Sequence, residues 1–318
     1  MNNPKKRLLT GLKPTGNLHI GNYFGALKPF VDFLAENAAY ESFLMVADYH
    51  ALTTAKDAAQ LRQDTYNIVR DYLAAGVDPE KVTLFKQSDN PDHTELAWIL
   101  NCQVTVPFLM QAHAYKDKVA KGQEANAGLF TYPMLMAADI LLYDTDLVPV
   151  GEDQRQHVEY AREAAGKFNR QYGEILKNPQ EKIMPAVGII PGIDGQKMSK
   201  SYNNTIPLFA EPAVVEKAVM SIVTDSTGDW PENVYNIHRL IKSEDELQPL
   251  YQNSAGRYGD LKKALAADLN DYFAEMRTRR QNISDDEVRT VLENGVQRSR
   301  AVTKEVLARV KQAIGITL

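Results

Sequence analysis

Pro14-Thr15-Gly16-Asn17-Leu18-His19-Ile20-Gly21-Asn22-Tyr23 follows a short apolar run, Leu8-Leu9, and leads into residues with helical spacing. Strand, glycine-containing turn and helix in that order open a nucleotide-binding βαβ unit. Gly16 and Gly21 let the backbone approach a bound group, and a helix start offers N–H groups and a positive dipole end that favour anions. His19 and Asn22 place two potential side-chain donors on the same turn.

The alternation continues along the chain. Phe43-Leu44-Met45-Val46-Ala47, Val82-Thr83-Leu84-Phe85 and Leu147-Val148-Pro149-Val150 are continuous apolar runs, as parallel strands buried on both faces require. Ile20, Tyr23, Phe24, Leu27, Phe30, Val31 and Leu34 keep helical spacing, with Pro29 expected to kink that helix or begin a second one. Leu61, Ile68, Val69, Tyr72 and Leu73 predict another helix, closed by Gly76. The pattern predicts an α/β fold, a Rossmann-like doubly wound parallel sheet. Past residue 205 strand signals fade, and 213–223, 259–280 and 285–314 read as helices. We therefore expect a catalytic domain over 1–205 and an all-helical domain over 206–318, whose last helix is free to pack back on the first.

Bulk properties bound the function classes. The 318 residues, 44% hydrophobic and 24% charged, suit a soluble chain of about two domains. The apolar stretch after Lys5, Lys6 and Arg7 ends at Gly11, too short for a signal peptide, and no run approaches a membrane span, so a cytoplasmic location is expected. The single cysteine, Cys102, excludes an intrachain disulfide or a multi-cysteine metal site. Net charge is −5, and residues 206–318 carry 15 Lys+Arg against 17 Asp+Glu, so charge gives no independent support for RNA binding. Arg277, Arg279 and Arg280 form either a local basic patch or a solvated helix face.

A second motif, Lys197-Met198-Ser199-Lys200-Ser201, ends the polar loop Pro191-Gly192-Ile193-Asp194-Gly195-Gln196. Taken alone it reads equally as an ordinary solvated loop. About a Rossmann domain downstream of His19-Ile20-Gly21-Asn22, it resembles the second signature of class I aminoacyl-tRNA synthetases, as the first resembles their HIGH-type signature. Tyr132-Pro133-Met134-Leu135-Met136-Ala137-Ala138-Asp139-Ile140-Leu141-Leu142-Tyr143 and Val148-Pro149-Val150-Gly151-Glu152-Asp153-Gln154 extend the resemblance to the tryptophanyl branch, and Val223-Thr224-Asp225-Ser226 continues it more weakly.

The resemblance implies activation of tryptophan by ATP, with Mg²⁺ accompanying the nucleotide, then transfer to tRNA(Trp) by a homodimer. His19, Asn22, Lys197 and Lys200 are its implied catalytic set. Lys13, Pro14, Thr15, Gly21, Gly151, Glu152, Asp153, Ile189, Met198, Ser199 and Ser201 are implied on the nucleotide, with Ile189 acting through its backbone. Tyr132 and Gln154 would hold the α-ammonium of tryptophan, and Met136, Val148 and Val150 would line the ring pocket. Negative charge grows on the leaving pyrophosphate, so donors aimed at phosphate oxygens are what this chemistry requires. No protein nucleophile is needed, since the substrate carboxylate and a tRNA hydroxyl attack.

Asp139 lies in an otherwise apolar helix, where an unmet carboxylate is costly. It serves either as a receptor for the single N–H of an indole or as a structural carboxylate met by a backbone group or an arginine. A tyrosyl-tRNA synthetase shares the fold but needs a second polar group for its phenol, and Met136-Ala137-Ala138 supplies none. A paralogue that keeps the fold without efficient tRNA charging is the other alternative. Gly151-Glu152-Asp153 also reads as simple helix capping. Lys13 replaces a frequent Gln, and Tyr49 replaces Gln in Asp48-Tyr49-His50, so His50 either reaches substrate or caps a strand end. Lys116 and Lys118 reach pyrophosphate or are merely solvated.

Overall fold

A computed structural model describes residues 5–14, 16–122, 124–184, 189–224 and 230–317, apart from the side chains of Ala114 and Asp153. Five parallel strands, β1 Arg7–Leu12, β2 Glu41–Val46, β3 Val82–Lys86, β4 Leu147–Val150 and β5 Gln180–Ile183, form one sheet in the order β3-β2-β1-β4-β5. Leu8, Leu44, Val46, Val82 and Leu84 enter one hydrophobic cluster, whereas Leu9, Phe43, Met45, Phe85 and Val148 enter another. The period-two pleat thus gives each face its own core. Four strands fall on the expected apolar runs. β5 does not, because an edge strand can be polar, as Gln180-Glu181-Lys182 is.

From β1 the chain moves outward through β2 and β3, then returns with β4 to the other side of β1. That reversal opens a crevice beyond the C-terminal ends of β1 and β4, where open α/β sheets bind ligands. The chain leaves β1 there at Lys13, and β4 at Gly151.

The helix expected from Ile20 onward has three parts: Ile20–Asn22, a π-helical turn Tyr23–Leu27, and Lys28–Glu36. The Lys28 N–H donates to the Tyr23 carbonyl, and Pro29 follows at the start of the last part. The wide turn lets the chain pass a residue that has no N–H of its own. The helix Ala58–Ala74 ends just before Gly76, at φ +107°.

Beyond residue 205 the elements among the described residues are helices: Pro212–Met220, Glu232–His238, Glu244–Asn253, Tyr258–Tyr272, Ala274–Asn282 and Asp285–Ala313. The single helix expected over 259–280 divides at Phe273, whose ring packs edge-on against Tyr23. The last helix returns to the sheet. Val288 and Leu292 join the first cluster, and Val302, Val306, Leu307 and Val310 the second. At Gly295 a Cβ would stand 1.8 Å from the Leu84 carbonyl oxygen, so helix and β3 meet backbone to backbone. Arg280 donates to Asp71 and Arg277 to Asn270, both from within the fold. Arg279 between them is exposed, so the solvated-face reading holds for that residue alone. No helix among the described residues is long and apolar enough to cross a membrane.

Candidate active site

His19 is the N-cap of Ile20–Asn22. Its Nδ1 accepts from the Asn22 backbone N–H at 3.2 Å, and Asn22 Oδ1 accepts from the His19 backbone N–H at 3.2 Å. This reciprocal capping box places the ring proton on Nε2, so Nε2–H and the Asn22 amide N–H₂ are the outward donors. Burial, together with the nearby Lys200 charge, lowers the His19 pKa to about 4, which keeps the ring neutral at pH 7. At Gly21 a Cβ would meet His19 Nδ1 at 2.9 Å and Met198 Cβ at 3.3 Å, so space demands glycine there. The Ile20 N–H donates to Ile206 O, and the Leu208 N–H to Leu18 O, which ties the turn to the segment after the second motif.

That second motif begins as a hairpin. The Met198 N–H donates to Ile190 O and the Gly192 N–H to Gln196 O, and Gly195 at φ +81° turns the tip. Met198 is buried in the first cluster and anchors the loop, leaving Lys197 and Lys200 on either side of it exposed. The buried Asn204 clasps the whole turn. Its Oδ1 accepts from the Ser199 N–H at 2.7 Å, and its Nδ2 donates to Asp194 at 2.7 Å and to Lys197 O at 3.1 Å. Lys200 Nζ and Asp64 Oδ1 stand 3.7 and 3.8 Å from the point where a Gly16 Cβ would sit. Partial burial lowers the Lys200 pKa, opposed by the charges of Asp64 and Asp71.

The two motifs therefore share one crevice. Lys13 and Pro14 line a cleft with Asp57 and Asp64, and Lys13 Nζ donates to Thr54 at 3.2 Å. Across the switch point Gly151 precedes a 3₁₀ turn, Glu152–Gln154, that opens the helix Arg155–Tyr172; Glu152 pairs with Arg155. Ser199 caps the short turn Lys200–Tyr202 by accepting from the Ser201 N–H. Ile189 is exposed immediately before the hairpin. Thr15, the Asp153 side chain, Asp225 and Ser226 lie outside the described residues. Lys116 and Lys118 belong to the helix His113–Ala120.

Tyr132, Met136, Asp139 and Tyr143 recur at helical spacing on and just beyond Ala127–Leu141, which makes one stripe. Tyr132, Met136 and Val150 pack against the second cluster, to which Val148 belongs. The Tyr132 hydroxyl meets His157 Nε2 at 3.1 Å. Asp139 is 1% exposed and met by three side chains: His50 Nε2 lies 2.7 Å from Oδ2, His93 Nδ1 2.7 Å from Oδ1, and Gln87 Nε2 donates to Oδ1 at 2.8 Å. Burial pushes this carboxyl up, but the hydrogen bonds from His50 and His93 outweigh it and hold the pKa below the usual carboxylate range. Asp139 is thus an anion and only accepts. His50 and Tyr132 also line a cleft with Tyr49, Asn126 and Leu135, the entrance to this stripe.

The partners of Asp139 are neither backbone groups nor an arginine, the partners a structural role would have suggested. His50 follows β2, Gln87 follows β3 and His93 begins the helix Asp92–Asn101, so strand ends deliver them. Of these only His50 stood out in the sequence. His93, Gln87 and Asn204 gave no local signal.

The family model of class I tRNA synthetases (W and Y) matches residues 1–293. A tryptophan–tRNA ligase of Fusobacterium nucleatum is 47% identical, over 98% of this chain and 98% of its own length. The crystal structure of the Campylobacter jejuni tryptophanyl-tRNA synthetase complexed with ADP and tryptophan superposes with TM-score 0.90 at 40% identity, covering 97% of this chain and 99% of that one. The Mycoplasma pneumoniae tryptophanyl-tRNA synthetase gives TM-score 0.79 at 30% identity, covering 98% of each chain. The chain belongs to the class I tRNA synthetases for tryptophan and tyrosine.

Proposed function

We propose that the protein is a tryptophan–tRNA ligase, activating L-tryptophan with ATP to tryptophanyl-adenylate and pyrophosphate and passing tryptophan to tRNA(Trp). The observation that carries this reading is the docking of the Met198 loop on the Gly21 turn, in a chain alike along its whole length to such ligases.

In the activation step a tryptophan carboxylate oxygen bonds to the α-phosphorus of ATP while the bond to pyrophosphate breaks. Charge moves onto the leaving group. His19 Nε2–H, Lys197 and Lys200 would meet it, and backbone N–H groups at the turn add to the positive field. Catalysis is positioning and charge stabilisation. Among the described residues no three or more His, Cys, Asp or Glu are grouped to hold a metal ion. Mg²⁺ commonly binds through phosphates and keeps its waters, so an ion carried in on ATP would need no protein cage here, and Asp57 and Asp64 in the cleft lining would tolerate its charge. In the amino-acid pocket Asp139 would take the indole N–H, Met136, Val148 and Val150 the ring, and Tyr132 and Gln154 the ammonium.

We assign the helices of 206–318 to anticodon binding and the enzyme to the cytoplasm. We also propose a homodimer, supported by the exposure of Trp98, Val106 and Met110 on successive elements. Sedimentation at micromolar concentration should give twice 35.6 kDa; a stable monomer would refute the dimer. ATP–pyrophosphate exchange with each amino acid in turn tests the function. Exchange should depend on tryptophan, and exchange driven by tyrosine instead would overturn the reading.

A further inference from the structure

Behind Asp139 runs a line of fully buried polar side chains that the activation chemistry does not use. His93 Nε2 lies 3.0 Å from the Tyr143 hydroxyl, and that hydroxyl lies 2.7 Å from Ser299 Oγ. Asn90 Nδ2 donates to Ser299 Oγ at 3.1 Å and to Thr303 Oγ1 at 3.0 Å. Each of Asn90, His93, Tyr143, Ser299 and Thr303 is 0% exposed. Ser299 and Thr303 belong to the C-terminal helix, held against β3 at Gly295. We infer that this chain from Ser299 through Tyr143 and His93 fixes the Asp139 carboxylate for indole recognition, making His93 a positioning residue for tryptophan specificity; the inference rests on Asp139 being the indole receptor.

The arrangement follows from counting donors. Asn90 N–H donates to Ser299, leaving the Ser299 hydroxyl proton for Tyr143. Tyr143 O–H is then directed to His93 Nε2, and His93 Nδ1–H to Asp139 Oδ1. Every donor in the line points toward the carboxylate, which, being ionised, accepts at about four positions. His93 and Gln87 occupy Oδ1, and His50 takes one position on Oδ2. The acceptor position that remains is on Oδ2, the oxygen met by His50 at the cleft entrance. Two donors on Oδ1 stop the carboxylate from rotating to present its other oxygen. A free indole N–H then finds an acceptor already oriented.

The test is ATP–pyrophosphate exchange by the full chain with tryptophan and with the analogue carrying sulfur in place of the indole N–H. His93→Leu should raise KM for tryptophan about tenfold or more, with KM for ATP within about twofold, and should narrow the discrimination against the sulfur analogue. His93→Asn, whose side-chain N–H stands where Nδ1–H stood, should restore most of both. Ser299→Ala and Tyr143→Phe should shift the same two quantities in the same direction by smaller factors, and they carry the test if His93→Leu does not fold. KM and discrimination unchanged in all folded variants, or His93→Asn no better than His93→Leu, would overturn the inference. Asp139→Asn serves as the reference. If it narrows discrimination and the His93 variants do not, the positioning role fails; if it leaves discrimination unchanged, the receptor reading has failed instead.

Discussion

The Nδ1 of His19 accepts a hydrogen bond from the backbone N–H of Asn22 at 3.2 Å, two residues beyond the helix start it caps. One side chain therefore caps a helix start and, through its other nitrogen, presents a neutral donor to the crevice. A protonated ring would lose the cap, because Nδ1–H cannot accept.

His19 should accordingly not titrate between pH 5 and 8. Its folded pKa, about 4, lies below its ordinary value of 6.5. Its contribution to stability should be complete above pH 6.5 and be lost as pH falls through 4, since the unfolded chain binds the proton first. NMR titration of the ring checks the first statement. For the second, the unfolding free-energy gap between wild type and His19→Gln should stay constant above pH 6.5 and shrink below it. A ring titrating near 6.5 would contradict both.

Gly21→Ala should act on the same contact. The added Cβ would meet the imidazole at 2.9 Å and the Met198 Cβ at 3.3 Å, so the cap and the loop must both give. The expected loss is about 1 kcal/mol of stability from the cap and about 100-fold in kcat/KM for ATP from misplacement of the donor. Exchange kinetics near wild type would show that the contact is dispensable.

Lys200→Ala should lower the exchange rate far more than it weakens tryptophan binding. Lys200 sits by Gly16 on a loop held by Met198 and Asn204, at the crevice where the proposed reaction would build up charge. By the scale of one oxyanion donor the loss is ~2.7–4 kcal/mol, roughly 100- to 1,000-fold. Tryptophan affinity measured by calorimetry should stay within about twofold, since removing a contact made in the transition state leaves ground-state binding alone. An unchanged rate would remove Lys200 from the mechanism.

What the sequence made legible follows from where information is local. β2 to β4 carry continuous apolar runs and β1 a short one, Leu8-Leu9, so each declares itself; β5 is a polar edge strand and does not. Pro29 marked a change in its helix, and the π turn just before it is that change. The break at Phe273 depends on Tyr23, some 250 residues away, and no local pattern could reveal it. The site divides the same way. His19, Asn22, Lys197 and Lys200 lie in contiguous motifs whose order is itself a signal. Asp139 stood out as a lone carboxylate among apolar residues. Its partners His50, His93 and Gln87 come from sequence positions 89, 46 and 52 residues away and are brought to it by sheet topology.

Asp139→Asn is the most direct measurement. Asparagine keeps a carbonyl oxygen in the pocket but removes the charge that strengthens a bond from an indole N–H. Wild type and mutant should each be measured with tryptophan and with the analogue lacking that N–H, closing a double-difference cycle. Wild type should prefer tryptophan strongly, because a buried carboxylate left without its donor is costly, and the mutant's preference should be about tenfold smaller or more. Equal discrimination in the two proteins, with tryptophan still the amino acid activated, would show that Asp139 is structural and contradict indole recognition by its carboxylate.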